Sequence, residues 1–264
     1  MNNWKKLAAA VILAGAVVMI QGCGGNGEEA KSMEKGRVWK AATEAAYPPF
    51  RYVDENRNLV GFEVDLLKEI GRRTGATIEF RDMPFDRLLD AVAGKQVDMA
   101  IGAITVTKER EKLVAFSDSY YRLSGYSLLV KKGNPPVRNE EELAGKVVAA
   151  KRESTSEARA KAQNPKEIIS MDHYEDIFKA LEAGKADVGI TGDQAALYEL
   201  EHGGSSRLSL SGTIPTEDNF AIALSKDNPQ LKKEINEALK SMMDDGTYDN
   251  LAHKWFFVKA ADKE

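Results

Sequence analysis

Arg110 and the two threonines ahead of it, Thr105 and Thr107, are the residues of this chain whose types and spacing suit chemistry on an anion. They lie in residues 99–110, MAIGAITVTKER, and an aromatic-rich stretch, FSDSYY, follows at 116–121. Arginine offers a planar fork of donors matched to a carboxylate, and threonine hydroxyls and loop amides add further donors. Small residues in the same loop let a ligand approach the backbone. The chemistry is that of a carboxylate clamp without a metal. The same residues also read as an ordinary helix start, with Thr107 as the cap and Arg110 paired with Glu111 or water. The elements that position them decide between the two.

The chain has 264 residues, 43% hydrophobic and 30% charged, enough for one large or two modest cores. Lys5 and Lys6 precede an apolar run over 7–20, short for a membrane span and suited to the core of a secretory signal. The run leads to Gly22 and Cys23, the chain's one cysteine. An exported chain with a single cysteine forms no internal disulfide, so Cys23 is either incidental or modified. A small residue and then cysteine after an apolar run resembles the lipobox of bacterial lipoproteins, with Gln21 as an unusual occupant. Cleavage after Gly22 then leaves Cys23 as the lipid attachment, and residues 24–30 read as a polar tether.

Gly22, Gly24 and Gly27 match G-x-G-x-x-G, but no strand-to-helix turn surrounds them, and the dinucleotide reading fails. Removing the signal takes away Lys5 and Lys6 and moves the formal charge from −4 to −6. A mildly acidic chain with no basic run argues against nucleic acid as a partner. His173, His202 and His253 lack metal-ligand spacing, so no metal and no cofactor is expected.

Strand and helix patterns alternate. A strand over 38–43 ends in a loop stiffened by Pro48 and Pro49, and a hairpin follows over 51–53 and 59–62. A helix then carries Val64, Leu67 and Ile70 on one face and stops at Gly75. A strand over 76–81, a helix over 85–93 and a strand over 97–102 complete the first half. The second half repeats the scheme with strands over 146–150, 167–170 and 187–191 and helices over 154–162 and 173–183. The halves share wording, since Ala93-Gly94-Lys95-Gln96-Val97-Asp98 is echoed by Ala183-Gly184-Lys185-Ala186-Asp187.

The predicted fold is α/β, with two similar lobes, each a mostly parallel sheet flanked by helices, and ligands bound outside the carboxyl ends of the strands. The apolar strands over 126–131 and 220–224 read as two hinge strands that permit closure. The implied organisation is a signal over 1–22, a lipid-anchored linker over 23–36, lobe 1 over 37–128 plus 225–258, lobe 2 over 129–224, and a tail over 259–264.

Over 38–256 the chain carries, in order, Tyr47-Pro-Pro-Phe, Gly61-Phe-Glu-Val-Asp-Leu, the run from Gly102 to Arg110, Phe116-Ser-Asp-Ser-Tyr-Tyr, Ser154-Thr-Ser-Glu, and Asp245-Gly-Thr-Tyr with Lys254-Trp-Phe. In these words it resembles the polar amino-acid periplasmic binding proteins that serve ABC importers, the family 3 extracellular solute-binding proteins. The resemblance implies a type II periplasmic binding fold and a non-enzymatic role. It implies a monomer that hands an L-amino acid to a permease, exported to the periplasm or cell surface and held to the membrane by its lipid.

The resemblance also implies that Arg110 grips the α-carboxylate with Thr105, Thr155 and the amides near Gly102 and Ala103. Tyr47 and Phe85 would wall the side-chain pocket, although the residues alone also suit a core. Glu44 would stand at the polar end of the pocket. The chain departs from the family where Glu44 replaces an aspartate and where Glu153-Ser154-Thr155 replaces Gly-Thr-Thr. The family's ammonium-binding aspartate aligns with Gly192, leaving Asp193 either to take that role or to cap a helix.

Lys151 resembles the lysine of members with a polar-amide ligand, such as glutamine-binding proteins, whereas Glu44 and Glu153 point to a cationic side chain; glutamine-like and basic ligands both stand, as does Lys151 as a surface charge. The alternative function is a periplasmic cyclohexadienyl or arogenate dehydratase-like enzyme, with Glu153 as a general acid but no nucleophile–base pair beside it.

Overall fold

A computed structural model describes residues 36–257. The expected signal and Cys23 lie outside the described residues. The chain opens with β1 (Arg37–Thr43), a small antiparallel ribbon of β2 (Ala46–Tyr47), β3 (Arg51–Val53) and β4 (Leu59–Val60), and helix α1 (Phe62–Thr74). β5 (Ala76–Asp82), α2 (Leu88–Ala93), β6 (Met99–Ala100), α3 (Lys108–Leu113) and β7 (Ala115–Arg122) follow. Then come β8 (Gly125–Lys131), β9 (Val147–Lys151), α4 (Thr155–Ala162), β10 (Glu167–Met171), α5 (Tyr174–Glu182), β11 (Val188–Gly192), α6 (Asp193–Glu201) and β12 (Leu208–Pro215). β13 (Asn219–Leu224), α7 (Pro229–Asp244) and α8 (Thr247–Ala252) follow, and a π-helical turn over His253–Phe257 ends the described chain.

Two five-stranded sheets result, ordered β5-β1-β6-β13-β7 and β10-β9-β11-β8-β12. In each, three strands run parallel and the fourth pairs antiparallel to the third. The echoed wording of the two halves leads into β6 and β11, which hold the same third place in their sheets. Sequence repetition here marks topological equivalence.

The expected lobe boundaries need correction. β8 belongs to the second sheet from Gly125 onward, and β13 belongs to the first. The chain therefore crosses between sheets at 123–124 and 216–218, and Leu123 N–H donates to the Asp218 carbonyl at 2.9 Å to tie the crossings together. β13 was expected to be a hinge because its run is apolar throughout. A strand held between two others and covered on both faces needs that same pattern, and Phe220–Leu224 is buried throughout.

Helix α1 ends at Gly75, whose φ of 70° makes the left-handed cap that glycine adopts without penalty. Its buried face includes Val64, Leu67 and Ile70. Glu63 is also fully buried there. α7 and α8 return to pack on α1, with α7 also against β7, and Trp255 Nε1 donates to Asp65 at 2.9 Å. Among the described residues no helix is long and apolar enough to cross a membrane.

Candidate functional site

The loops at the carboxyl ends of the parallel strands converge between the two sheets. Glu44 follows β1, Tyr47 lies in β2, and Thr105 follows β6. Lys151 ends β9, and Thr155 opens α4 after it. Phe85 sits on a single 3₁₀ turn before α2. Tyr47, Phe85, Thr105, Arg110, Thr155 and Tyr174 are among the residues lining a cavity of 20 Å³, about the space of one water. The lobes are closed upon it.

Thr107 follows the capping reading, whereas Arg110 does not pair with Glu111. Thr107 caps α3, its hydroxyl accepting from Arg110 N–H at 3.2 Å. The Arg110 guanidinium turns away from Glu111 into the cleft, where Nη1 donates to the Thr105 carbonyl at 2.9 Å and Nη2 to the Glu153 carbonyl at 3.0 Å. The second bond spans the lobes. Burial pulls the Arg110 pKa down, although an arginine keeps its charge. With two of its five N–H donors committed, the fork retains capacity for a carboxylate.

Thr105 and Thr155 approach across the cleft at 3.2 Å between hydroxyls. Thr155 also lies 2.6 Å from Tyr126 Oη, which donates to Asp218 at the second crossover at 2.5 Å. Thr155 opens α4, and a helix N-terminus suits an anion. Ser154 caps that helix through Glu157 N–H at 3.1 Å.

The two sheets also meet through charge. Lys151 Nζ donates to Glu44 Oε1 at 2.8 Å and to the Asp172 carbonyl. Both side chains are buried, at 3% and 5% exposure. Glu44 Oε2 has no hydrogen-bond partner among the described residues. Lys151 and Arg110 flank the Phe85 ring at 5.5 Å and 5.6 Å from its centroid, so Phe85 spaces two cations as well as walling the cavity.

Of the expected ligand contacts, Ala103 lines the cavity but spends its amide elsewhere, and Glu44, Gly102, Lys151 and Asp193 do not line it. The Ala103 N–H donates to Glu63 Oε1 at 2.7 Å, holding Ala103 at a φ of 50°. Glu63 also accepts from Tyr120 at 2.5 Å and pairs with Arg51 at 3.3 Å, which explains its burial. Gly102 is small because α2 presses on it: an added Cβ meets Leu88 Cδ1 at 2.9 Å. Asp193 stands at the first position of α6, with its carboxylate bonded to the Ser124 hydroxyl at the first crossover and to Tyr121 at 3.4 Å. It also accepts from Gln194 N–H at 2.7 Å. Gly192, not Asp193, lines the cavity.

Sequence reasoning missed Tyr126, Ser154, Ser156, Tyr174 and Phe220 as lining residues. Tyr126 was hidden in an apolar run. Tyr174, at the start of α5, gave no signal beyond its aromatic ring in a polar context. Glu153 is exposed, in a 740 Å³ groove that adjoins the cavity along Phe85 and Arg110. Among the described residues no three His, Cys, Asp or Glu side chains converge as a metal requires.

The family model for bacterial extracellular solute-binding proteins, family 3, matches residues 39–258. The arginine-binding extracellular protein ArtP of Bacillus subtilis is 32% identical over 97% of this chain and 98% of its own length. The ABC transporter glutamine-binding protein GlnH of the same organism is 30% identical over 95% of this chain and 97% of its own. The solved structure of an ancestral arginine-binding protein bound to glutamine superposes with a TM-score of 0.79 at 36% identity, covering 83% of this chain and 97% of the other.

Proposed function

The chain belongs to the bacterial extracellular solute-binding proteins, family 3, and we propose that it captures an amino acid with a carboxamide side chain, glutamine first, and delivers it to an ABC-importer permease. The Glu44–Lys151 pair carries this reading. Lysine has three donors, of which Glu44 and Asp172 engage two, so one remains beside the unpartnered acceptor Glu44 Oε2. One donor next to one acceptor is the complement of a carboxamide. A guanidinium offers donors alone and sets its charge against Lys151. A side-chain carboxylate meets Glu44. The α-carboxylate goes to Arg110, with the Thr105 and Thr155 hydroxyls beside it.

A cationic side chain is the second reading, supported by the excess carboxylate of Glu153 at the groove and by the likeness to ArtP. It requires Lys151 to give up Glu44. We take the protein as a binder and not a catalyst, because Glu153, the candidate acid, stands exposed to water instead of in a dry pocket. It acts as a monomer, exported and lipid-anchored through Cys23; Cys23→Ser is expected to move the protein from the membrane to the soluble fraction.

A thermal-shift screen against the twenty amino acids, prephenate and arogenate tests the reading, since a ligand of the native state raises its melting temperature. Glutamine is expected to give the largest shift. A larger one from arginine, lysine or histidine selects the cationic reading. Turnover of prephenate or arogenate, with no amino acid bound, overturns both.

A further inference from the structure

Behind the candidate site lies a second cavity of 440 Å³, and Tyr47 and Tyr174 belong to the linings of both. Their rings stack with centroids 3.9 Å apart and planes inclined by 29°. Tyr47 comes from the ribbon of the first lobe and Tyr174 from the first turn of α5 in the second. The stack is therefore a partition that forms when the lobes come together.

The chemistry beyond the partition differs from that before it. Tyr52, Phe178 and Tyr198 supply aromatic faces, Glu175 and Glu199 supply carboxylates, and the lining includes no lysine or arginine. Aromatic faces with carboxylates beside them attract organic cations. The two glutamates are partnered from outside the chamber, Glu175 by Lys179 at 2.9 Å and Glu199 by Arg207 at 3.4 Å. The first pair is exposed and the second half-buried at Glu199, with only one long contact. His173 also lines the chamber and lies 3.8 Å from Glu44 Oε1.

We propose that Tyr174 determines side-chain specificity: stacked on Tyr47 it closes the ligand cavity at carboxamide length, and the chamber behind it is a latent subsite for a guanidinium or ammonium side chain. The inference rests on the amino-acid reading above. When the lobes close over a short side chain, the two rings meet again. A side chain as long as that of arginine stands between them and holds the lobes apart. Without the Tyr174 ring, the same side chain runs along Tyr47 into the chamber, toward Glu199 and the Tyr52 and Tyr198 faces, whose centroids lie 5.9 Å apart.

The test is titration calorimetry of the whole protein with glutamine and with arginine, for the wild type, Tyr174→Phe, Tyr174→Leu and Tyr174→Ala. Tyr174→Phe keeps the ring and is expected to keep the wild-type preference. Tyr174→Ala is expected to raise the ratio of arginine affinity to glutamine affinity by about tenfold or more. Tyr174→Leu preserves apolar packing, so it reports on the missing ring should the alanine variant fail to fold, and it is expected to shift the same ratio. An arginine-to-glutamine ratio that is the same in all four proteins overturns the inference and leaves the amino-acid reading intact. A wild type that binds neither amino acid overturns that reading and the inference with it.

Discussion

Tyr47 holds its hydroxyl in the space that a side chain on Gly192 would need: a Cβ built there meets Tyr47 Oη at 2.6 Å. The ring has no room to swing aside, being buried and flanked by Phe50 at 5.4 Å and Tyr174 at 3.9 Å. Burial pushes the Tyr47 phenol up to about 12, so it stays neutral. Because the two residues belong to different lobes, the contact is a point of fit between them. A neutral hydroxyl fills the position where the family resemblance expects a carboxylate.

Gly192→Ala is accordingly expected to destabilise the closed protein by about 1–3 kcal/mol, the usual range for overpacking. Tyr47→Phe removes the obstructing atom, and the double variant Tyr47→Phe/Gly192→Ala is expected to recover most of the loss. Melting temperatures of the four proteins form a double-mutant cycle. Simple additivity in that cycle rules out the contact as the reason for the glycine.

Arg110→Ala is expected to lose binding by about 2–5 kcal/mol, the range for truncating one partner of a buried charge pair. Unliganded unfolding should change little, since the guanidinium's two observed bonds go to neutral carbonyls. Titration calorimetry and thermal melts read the two effects separately. An unchanged Kd places the carboxylate elsewhere.

Lys151→Met leaves Glu44 buried without its counter-ion and is expected to cost about 3–5 kcal/mol of stability. Adding Glu44→Gln removes the stranded charge and should restore much of it. The single variant is also expected to prefer cationic ligands, because an arginine or lysine side chain then supplies the missing charge. A thermal-shift comparison of glutamine with arginine in both backgrounds checks this, and an unaltered preference in Lys151→Met would remove the pair from the side-chain pocket.

Much of this was legible in the sequence, and the exceptions have causes. Period-two and helical patterns located β1, β5, α1 and α5 because each buries one face or a stripe against its own lobe. The crossovers were misplaced because β13, apolar on both sides, has the pattern of a central strand and carries no mark of where its chain came from. Arg110, Thr105 and Thr155, expected from two separate motifs each confined to a short stretch of chain, line the same cavity. Tyr174 and the partners of Glu63 were missed because those contacts are long-range: Glu63 meets Ala103 and Tyr120 only once α1 packs beside β6 and β7.

Acid should weaken the packing of the C-terminal helices on α1. Arg73 bonds Asp245 and Glu69, each at 2.8 Å. Hydrogen bonds from Arg73 and Thr247 hold the Asp245 pKa well below 3.8. Hydrogen bonding to Arg72 and then Arg73, against the opposing effect of burial, holds Glu69 below 4.5. A depressed folded pKa means that the unfolded chain takes up protons first, so this stabilisation is whole above the ordinary carboxylate values and fades as pH falls through the depressed ones. Urea midpoints are expected to drop from about pH 5 toward pH 3, and Asp245→Asn should flatten that decline. An equally steep decline in the variant assigns it to other carboxylates.

Asp193 tests whether a carboxylate next to the cleft serves the ligand or the hinge. It stands in the second lobe at the start of α6, yet its bonds reach Ser124 in the first crossover and Tyr121 in β7 of the first lobe. A group so placed braces the lobes. Asp193→Asn and Ser124→Ala are therefore expected to weaken binding by similar small factors, on the scale of about 1 kcal/mol for a lost hydrogen bond. The decisive ligand is the glutamine analogue that lacks the α-amino group. If Asp193 is a brace, both variants lower the affinity of glutamine and of the analogue in equal proportion, because closure is linked to both. If it instead receives the α-ammonium, Asp193→Asn weakens glutamine alone and abolishes its advantage over the analogue, while Ser124→Ala leaves that advantage in place. The bonds to Ser124 and Tyr121 favour the first outcome, and calorimetry of the two ligands against the three proteins measures it.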